Sequence, residues 1–386
     1  MSITISRRRF IGGMVAAAGL IGLKPDLEAW SESTGPTTSH AVTQSVSEYD
    51  NFAKLAFNEN PYGPAQSVLK AMMGAFKYAN RYNSPDNDIV QAIADHHGVK
   101  PANILLGNGS TEILDVAGTT FLRDAKEVVG VEPTYGTVYE WARGMQSPAI
   151  KVPLLADHRQ DIPGIIKTAK QNRHKVGFVY LCNPNNPTGM IIHKDEIRQL
   201  LNELPEDMPV LMDEAYHHYV EDANYAMSVP YVLEGRPVIV TRTFSKIAGL
   251  AGMRLGYCVA PEALIAKMLP HMGGYNVNAL VKWAGVAALK DTEAQTKVRA
   301  QTLALRKKTV AELHKLNYRI LPSETNFFMV HIRRPVVPVI EAFRKRGVLV
   351  GRAFPPMLDY LRVSVGTADE MDRFLAAFKE IFSAPS

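Results

Sequence analysis

The sequence predicts an α/β protein with a large domain, built on a mostly parallel seven-stranded sheet covered by helices, and a smaller α+β domain. Between residues 104 and 260, short apolar runs alternate with helical segments, and several of these runs are almost continuously hydrophobic. Such strands are typical of parallel sheets that are buried on both faces. After residue 290 the pattern changes, because a long charged helix precedes several short strands.

The large domain begins with helical periodicity over Gln66–Tyr78 and Asp88–His97. Seven apolar runs then predict the strands of the sheet: Ile104–Leu106, Glu127–Val131, Lys151–Leu154, Val176–Leu181, Val210–Asp213, Val238–Thr241 and Arg254–Ala260. Ligands of parallel sheets bind at the carboxyl ends of the strands. We therefore expect functional residues in the loops that follow these strands.

The smaller domain is predicted from a helix over Asp291–Leu316 and the elements that follow it. These are strands at Tyr318–Leu321, Asn326–His331, Val348–Val350 and Leu361–Val365, and helices at Val337–Arg346 and Ala368–Ser383. The expected organisation is a leader and linker at 1–40, an N-terminal arm and part of the small domain at 41–75, the large cofactor-binding domain at 76–290, and the rest of the small domain at 291–386.

Composition and charge exclude several classes of protein. The chain is 46% hydrophobic and 21% charged, as in an ordinary globular protein. Four of the positive charges behind the net +5 lie among residues 1–24, which contain no acid, so the rest of the chain carries +1 and offers no nucleic-acid footprint. Two cysteines cannot build a disulfide framework or a cysteine zinc site, and adjacent histidine pairs are poor metal ligands, so no metal site is predicted.

The N-terminus predicts an export signal. Residues 6–11 read S-R-R-R-F-I, which resembles the twin-arginine signature S-R-R-x-F-L, and a weakly apolar run continues to Leu23. That run is too short for an ordinary membrane-spanning helix and fits the apolar region of a signal. We expect recognition by the twin-arginine translocase and a periplasmic or otherwise exported protein. A basic arm on a cytoplasmic protein, or an uncleaved anchor, is the alternative.

Lys246 lies in the stretch Thr241–Gly256, which reads TRTFSKIAGLAGMRLG after a buried strand. Thr243 and Ser245 place hydroxyls beside its amine, and Arg254 follows eight residues later. Hydroxyls and a guanidinium bind phosphate, while a lysine amine condenses with an aldehyde. The stretch therefore predicts that Lys246 forms a Schiff base with pyridoxal phosphate and then serves as general base and acid at the substrate Cα.

Other loops offer what such a cofactor needs. The turn Gly107–Thr111 presents backbone N–H groups and a helix N-terminus to an anion, and position 112, a glutamate, argues against a nicotinamide-binding fingerprint. Tyr135 follows a predicted strand and offers a face on which a flat ring can stack, although a tyrosine in the core is the alternative. Asn186, in the rigid loop N-P-N-N-P-T-G, can present its amide to a ring oxygen.

Asp213 ends a predicted apolar strand, where a carboxylate is costly unless it meets a cation. A protonated pyridine nitrogen is such a cation, and holding it charged lets the ring accept electrons from the substrate Cα. A helix cap or a core salt bridge is the alternative. Tyr216, three residues on, can reach the ring's phenolic oxygen. Arg362, within another apolar strand, would pair with a substrate carboxylate or phosphate, and Arg352 is a second anion-binding candidate.

The order of these motifs resembles class I and II aminotransferases of pyridoxal-phosphate fold type I, over about residues 50 to 385. The motifs are G-N-G-S-T-E, a single tyrosine, N-P-N-N-P-T-G, D-E-A-Y, T-F-S-K with an arginine eight residues later, and L-R-V-S-V-G. Within that family, N-E-N-P-Y-G-P, N-R-Y and S-E-T-N-F are most similar to the histidinol-phosphate aminotransferase branch.

The resemblance implies a role for each residue. The expected cofactor ligands are Lys246 as the Schiff-base lysine, Asp213 on the pyridine nitrogen, Asn186 and Tyr216 on the ring oxygen, Tyr135 stacked on the ring, and Ser110, Thr111, Thr243, Ser245 and Arg254 on the phosphate. Tyr82 is expected to reach the phosphate of the neighbouring subunit's cofactor, which implies a homodimer with shared active sites. Substrate contacts are expected from Arg362, Arg352, Asn60 and Tyr62.

The resemblance predicts an aminotransferase that moves an amino group between an amino acid, or an amino-alcohol phosphate, and a 2-oxo acid. Another Cα reaction, such as decarboxylation of an amino-acid phosphate or a cyclisation, needs the same cofactor ligands and stays an alternative. So does an exported binding or regulatory protein that retains the fold. An export signal is not expected of a histidine-biosynthesis enzyme, and the segment between Arg352 and Arg362 departs from the family's usual forms. The sequence therefore leaves the donor, the acceptor and the pathway open.

Overall fold

A computed structural model describes residues 49–383 of the chain. The twin-arginine signal and linker expected at 1–40 lie outside the described residues. Within residues 49–383, no helix combines the length and the apolar composition that crossing a lipid bilayer requires. The same residues contain no group of three or more His, Cys, Asp and Glu side chains placed to hold a metal ion.

Twelve strands run through the described part of the chain: β1 (Ala53–Leu55), β2 (Ile104–Gly107), β3 (Glu127–Glu132), β4 (Ala149–Pro153), β5 (Val176–Cys182), β6 (Val210–Asp213), β7 (Val238–Thr243), β8 (Gly256–Val259), β9 (Arg319–Ile320), β10 (Phe327–His331), β11 (Val348–Val350) and β12 (Tyr360–Ser364).

The same part of the chain contains twelve α-helices: α1 (Gln66–Ala75), α2 (Ile89–His97), α3 (Ser110–Phe121), α4 (Thr137–Gly144), α5 (Ile162–Gln171), α6 (Lys194–Glu203), α7 (Val229–Leu233), α8 (Glu262–Met268), α9 (Ala279–Lys290), α10 (Thr292–Lys315), α11 (Val336–Arg344) and α12 (Ala368–Ser383). A 3₁₀ turn at Phe76–Tyr78 follows α1, where the sequence predicts one continuous helix.

The main sheet has seven strands in the order β2-β8-β7-β6-β5-β3-β4. Strand β8 is antiparallel to both of its neighbours, and the other pairs are parallel. Successive side chains enter different hydrophobic clusters: Ile239 packs into one, and Val238 and Val240 into the other. The sheet is thus buried on both faces, which explains its continuous apolar runs. The predicted fold class, a mostly parallel sheet of seven strands, is confirmed.

The last strand predicted for the main sheet starts two residues later than the sequence indicates. The sequence predicts a strand from Arg254, but β8 begins at Gly256, because Arg254 adopts a left-handed conformation with φ +58°. A residue in that conformation cannot continue a pleated strand. The turn instead directs the Arg254 guanidinium towards Gly109.

The residues after 290 form smaller sheets with their own core. Strand β1 pairs in parallel with β11, and β12, β10 and β9 form an antiparallel sheet. Helices α11 and α12 cover these strands in a cluster that includes Phe343, Phe374 and Phe378. The segment before residue 60 therefore joins the C-terminal strands, whereas α1 packs against α9. The domain bounds at 75/76 and 290/291 stay a prediction.

Candidate active site

The carboxyl edge of the main sheet carries the predicted site residues. Strands β2, β3, β5, β6 and β7 share one direction and end at this edge. The residues at or just after these ends are, in order, Ser110, Tyr135, Asn186, Asp213 and Ser245. Since β8 runs the opposite way, its beginning lies at the same edge. The antiparallel strand therefore brings Arg254, which precedes it, to residues that follow the other strands.

An anion cradle forms between β2 and β8. Helix α3 begins at Ser110, so the N–H groups of its first turn, where half-buried Thr111 also lies, are free to bind an anion. A Cβ on Gly109, whose φ is +79°, would overlap the Arg254 guanidinium, and one on Gly256 would overlap the Ser110 nitrogen. Arg254 is held by Nη1 donating to Ala251 O at 3.0 Å. The two glycines therefore let the Arg254 guanidinium and the first N–H groups of α3 approach the same turn closely, which gathers anion-binding donors at one place.

Two buried hydroxyls border the same region. Thr243 Oγ1 donates to Ser245 Oγ at 2.8 Å, and the Ser245 N–H donates to Thr243 Oγ1 at 3.0 Å. Both side chains are buried at the end of β7. This local loop of bonds orients the hydroxyls directly before Lys246. The predicted phosphate ligands Ser110, Thr111, Thr243, Ser245 and Arg254 thus come from neighbouring β2, β7 and β8.

The Lys246 amine lies in the middle of the site. Its Nζ donates to Phe57 O at 3.0 Å and sits 5.7 Å from the centre of the Tyr216 ring. Burial lowers the pKa of Lys246 to about 8, and the nearby positive charge of Arg362 acts in the same direction. A lysine with that pKa has a substantial neutral fraction near neutral pH, which a nucleophilic amine requires.

Asp213 ends β6 as a buried carboxylate. Its Oδ1 accepts from the Ala215 N–H at 3.2 Å and from Thr241 Oγ1 at 3.3 Å. Burial raises the pKa of Asp213 to about 6, against the opposing effect of these hydrogen bonds and of Lys246. The desolvated carboxylate would be stabilised by a cation, and a protonated ring nitrogen supplies one.

Tyr216 receives two amide donors. Asn58 Nδ2 donates to its hydroxyl at 3.0 Å and Asn186 Nδ2 at 3.4 Å. Asn186 also accepts, through Oδ1, from Arg362 Nη1 at 2.7 Å. The predicted ring-oxygen ligands, Asn186 and Tyr216, are therefore in contact, and Arg362 is tied to them.

Arg362 lies in β12 and is 6% exposed. Its Nη2 donates to Ala56 O at 2.5 Å, while its buried Nε has no hydrogen-bond partner among residues 49–383. Burial lowers its pKa to about 10. Its guanidinium carbon lies 4.7 Å from the centre of the Phe354 ring, and that of Arg352 lies 4.4 Å from the same centre. Arg352 itself is exposed and donates to Ala353 O.

The remaining predicted residues lie around this centre. Tyr135 is half-buried and packs against the cluster on one face of the sheet. Asn60 donates to Ile247 O at 3.0 Å, and with Tyr62 it lines a separate cavity of about 270 Å³. Tyr82 is 83% exposed and its ring lies 5.3 Å from that of Tyr275. The structure thus groups the cofactor residues tightly, whereas these four lie at the periphery.

Sequence reasoning missed residues Ala56, Phe57 and Asn58. Ala56 and Phe57 contribute their backbone carbonyls, which cannot be recognised from a pattern of side chains. Asn58 contributes a side chain, is 1% exposed, and has φ +54°. Its position in N-E-N-P predicts a turn, and the available signal was that asparagine is among the few residues that tolerate a left-handed conformation.

These residues fit pyridoxal phosphate. The donors that two glycines bring together in the cradle match its phosphate, the buried carboxylate matches its ring nitrogen, and the amide and phenol match its ring oxygen. A lysine of lowered pKa matches its aldehyde. Together with the mostly parallel sheet, the site defines the class of fold type I pyridoxal-phosphate enzymes.

The family follows from comparison with known proteins. Residues 50–378 match the model of aminotransferase class I and II, so the chain belongs to that family. A histidinol-phosphate aminotransferase of Moorella thermoacetica is 36% identical over 335 residues, which are 86% of this chain and 85% of that protein. The chain is accordingly an aminotransferase, similar to histidinol-phosphate aminotransferases, and it uses pyridoxal phosphate.

Solved structures show the same fold. The histidinol-phosphate aminotransferase of Sinorhizobium meliloti in complex with pyridoxal 5'-phosphate has a TM-score of 0.80 and 27% identity, covering 86% of this chain and 91% of that one. The L-threonine-O-3-phosphate decarboxylase of Porphyromonas gingivalis has a TM-score of 0.73 and 21% identity, covering 86% and 99%. The second likeness concerns the fold alone.

Proposed function

We propose that this aminotransferase works through Lys246 and takes an amine that also carries a carboxylate or a phosphate, which Arg362 would hold. The observation that carries the proposal is the state of Arg362. It is a buried guanidinium bonded to the Asn186 amide, and among residues 49–383 it forms no salt bridge. A buried cation without a counter-ion is costly, so an anionic substrate group would pay that cost by pairing with it.

Each site residue has a task in this reaction. Pyridoxal phosphate, when bound, supplies a ring that accepts electrons from the substrate Cα. Lys246 removes and returns the proton at Cα, and Asp213 keeps the ring nitrogen positively charged. Asn186 and Tyr216 would donate to the ring oxygen, and Tyr135 would stack on the ring. Arg254, Thr243, Ser245, Ser110 and Thr111 would hold the phosphate.

The donor is an amino acid or an amino-alcohol phosphate, and the acceptor is a 2-oxo acid. Histidinol phosphate is the first donor to test, because the relative from Moorella thermoacetica bears that name at 36% identity. Arg352 shares the Phe354 ring with Arg362 and would add a second positive charge beside the anion. Asn60 and Tyr62 would border the substrate from the N-terminal segment.

A panel of donors tests this proposal. Purified holoenzyme is mixed with one amine at a time, then with 2-oxoglutarate, and the new amino acid is measured. We expect transfer from donors with a carboxylate or phosphate, and a rise of about 100-fold in KM for them in Arg362→Leu. Amines without an anion should lose little in that variant. Release of carbon dioxide or a cyclised product without amine transfer would support the alternative Cα reaction instead.

The protein works as a homodimer in this proposal. Three apolar side chains, Leu69, Met73 and Phe76, recur along α1 and the turn after it, and they are 36%, 73% and 62% exposed. Exposed Tyr82 follows on the same segment. A second copy is the proposed partner because an apolar stripe next to the active-site segment is costly in water, and because Tyr82 would then reach the partner's cofactor phosphate.

We propose that the protein is exported through the twin-arginine translocase. The alternative is a cytoplasmic protein. The motif at residues 6–11 supports export, and this route carries folded proteins, which suits an enzyme that acquires its cofactor before leaving. Cell fractionation should find the wild type in the periplasm and the double variant Arg7→Lys, Arg8→Lys in the cytosol. A wild-type protein found in the cytosol alone would contradict export.

A further inference from the structure

Three consecutive residues of the N-terminal segment each bond to a different site residue. The bonds are Arg362 Nη2 to Ala56 O at 2.5 Å, Lys246 Nζ to Phe57 O at 3.0 Å, and Asn58 Nδ2 to Tyr216 OH at 3.0 Å. We call residues 56–58 the strap. The carbonyls of the strap accept from the Lys246 amine and the Arg362 guanidinium. Its one buried side chain, that of Asn58, donates to the Tyr216 hydroxyl.

Asn58 is held in place by the C-terminal strands. Its N–H donates to Ser364 Oγ at 2.8 Å, and Ser364 Oγ donates back to Asn58 Oδ1 at 2.8 Å. Asn326 Nδ2 donates to the Asn58 carbonyl at 2.9 Å. Ser364 Oγ accepts from the backbone N–H and donates its own proton to Oδ1, so the Asn58 carboxamide oxygen is directed to Ser364. The amide nitrogen of Asn58 is therefore the group that faces Tyr216.

The second donor to Tyr216 has an equally fixed orientation. Asn186 Oδ1 accepts from Arg362, and a guanidinium only donates, so Asn186 Nδ2 faces the phenol. A phenolic oxygen has one proton and a limited acceptor capacity. With Asn58 and Asn186 both donating to it, the Tyr216 oxygen has its acceptor sites occupied. Its own proton is left to donate to a third group.

We propose that Asn58 is a positioning residue that makes Tyr216 a hydrogen-bond donor to the cofactor's ring oxygen. The inference rests on the proposed role of Tyr216 in the site. Without the Asn58 amide, the Tyr216 hydroxyl is free to turn its proton elsewhere, and the negative charge on the ring oxygen loses a stabilising bond. The proton that this oxygen shares with the Lys246 nitrogen is then bound more tightly.

The test measures the pH midpoint of the visible absorbance of the lysine-bound cofactor in purified holoenzyme. Asn58→Gly removes the amide and keeps the left-handed backbone, which glycine adopts readily. We expect the midpoint to rise by about one pH unit, a tenfold change in proton affinity. The matched control is Asn317→Gly, an exposed asparagine with φ +61°, which should leave the midpoint unchanged.

Tyr216→Phe separates this inference from the proposed function. We expect its midpoint to rise at least as far, and the double variant Asn58→Gly, Tyr216→Phe to rise no further, because both act through one bond. If Tyr216→Phe leaves the midpoint unmoved, the proposed role of Tyr216 fails. If Tyr216→Phe moves it and Asn58→Gly does not, or the two shifts add, the positioning role of Asn58 is overturned.

A second variant covers a failure of Asn58→Gly to fold. Ser364→Ala removes the hydroxyl that orients the Asn58 amide and leaves the strap backbone intact. We expect a midpoint shift in the same direction as in Asn58→Gly. An unchanged midpoint together with a lower melting temperature would show that Asn58 and Ser364 only support the fold.

Discussion

Lys246 is surrounded by groups of both signs at the centre of the site. Burial is the main cause of its lowered pKa of about 8; Arg362 and Arg254 add to that effect, and Glu59 and Asp213 oppose it. The same residue is pinned by the Phe57 carbonyl. The amine is therefore held in one place, and its lowered pKa favours the neutral form at slightly alkaline pH.

The pKa of Lys246 predicts the pH dependence of cofactor loading. Only the neutral amine attacks an aldehyde, so the loading rate of the apoprotein should rise about tenfold per pH unit below pH 8 and level off above it. Stopped-flow absorbance measures this rate. Arg362→Leu should move the midpoint upwards, because a neighbouring positive charge is lost, and the surface variant Arg346→Leu should not. A rate that still rises steeply above pH 9 would contradict the assignment.

The same pKa has a consequence for stability. The folded-state value lies below the ordinary value of 10.5, so the unfolded chain binds more protons between those values. The stability of the apoprotein contributed by this group therefore rises with pH from about 8 to 10.5. Below pH 8 the buried positive charge opposes folding fully, and above 10.5 the opposition is gone.

At this scale the sequence identified the residues whose chemistry is unusual for their setting. Lys246 was recognisable because hydroxyls and an arginine that suit a phosphate lie near its amine in sequence, and Asp213 because a carboxylate at the end of an apolar strand needs a partner. Asn58 was not, because its role depends on a left-handed backbone and on hydrogen bonds to strands about 270 and 300 residues away in sequence. Asn60 and Tyr62, two and four residues on, were expected instead and line a separate cavity.

Among the elements, the turn between β2 and α3 is the part of the cradle most sensitive to added volume. Gly109→Ala would place a methyl group on the Arg254 guanidinium as well as straining the backbone at φ +79°. We expect the dissociation constant of pyridoxal phosphate, measured by fluorescence titration, to rise at least about tenfold.

Gly98→Ala is the matched control for this substitution. Gly98 also has a positive φ, +65°, but a Cβ there meets no atom of the described part of the chain within 4 Å. It should cost about 1 kcal/mol of stability through backbone strain and leave the dissociation constant unchanged. Equal effects of both substitutions on cofactor affinity would show that strain, not the filled space, is responsible.

A buried ion pair joins Arg242 of β7 to Glu214, the residue that follows β6. Arg242 Nη2 lies 2.7 Å from Glu214 Oε2, and the two side chains are 3% and 0% exposed. Arg242→Leu leaves an unpaired buried carboxylate, so we expect a loss of about 3–5 kcal/mol in the free energy of unfolding by urea.

The exposed pair of Lys100 and Glu262, at 3.0 Å, is the control for the buried one. Its side chains are 78% and 51% exposed, and Lys100→Ala should cost about 1 kcal/mol or less. Adding Glu214→Leu to Arg242→Leu should recover part of the loss. If Arg242→Leu costs no more than Lys100→Ala, the ion pair does not hold the two strands together.

The sequence predicted the central strands well because they are buried on both faces, which produces continuous apolar runs. Strand ends were off by one or two residues, as at Arg254, where a left-handed turn replaces the start of a strand. The direction of β8 could not be predicted, since an apolar run looks the same in parallel and antiparallel sheets. That direction is what brings Arg254 to the cradle.

At the scale of the whole molecule, the proposed dimer would bury the exposed apolar side chains of α1 and the turn after it, Leu69, Met73 and Phe76. The double variant Met73→Asp, Phe76→Asp places two charges in the proposed subunit interface, so it should sediment as a monomer. Its cofactor affinity should fall, because Tyr82 would no longer reach the partner's site. Met227→Asp, at a side chain 51% exposed elsewhere, is the control and should remain dimeric. A wild-type protein that sediments as a monomer would contradict the proposal.

The sequence and the fold predict the substrate less well than they predict the cofactor. The residues that bind the cofactor do not distinguish between reactions at Cα, because all of these reactions use the same cofactor. A decarboxylase has the same fold at 21% identity. Which bond breaks depends on how Arg362 and its surroundings orient the amine. In our proposal that orientation is decided by the segment from Arg352 to Arg362, where both guanidiniums lie close to the Phe354 ring.

Locating the bound cofactor on the chain tests the central claim most directly. Borohydride reduction of the purified holoenzyme fixes pyridoxal phosphate to the lysine that carries it, and trypsin then cannot cut after that lysine. We predict that mass spectrometry finds the added phosphopyridoxyl mass on the peptide of residues 243–254, at Lys246, and none in Lys246→Ala. The same mass on another lysine, or an unmodified peptide ending at Lys246 in fully loaded enzyme, would contradict the account.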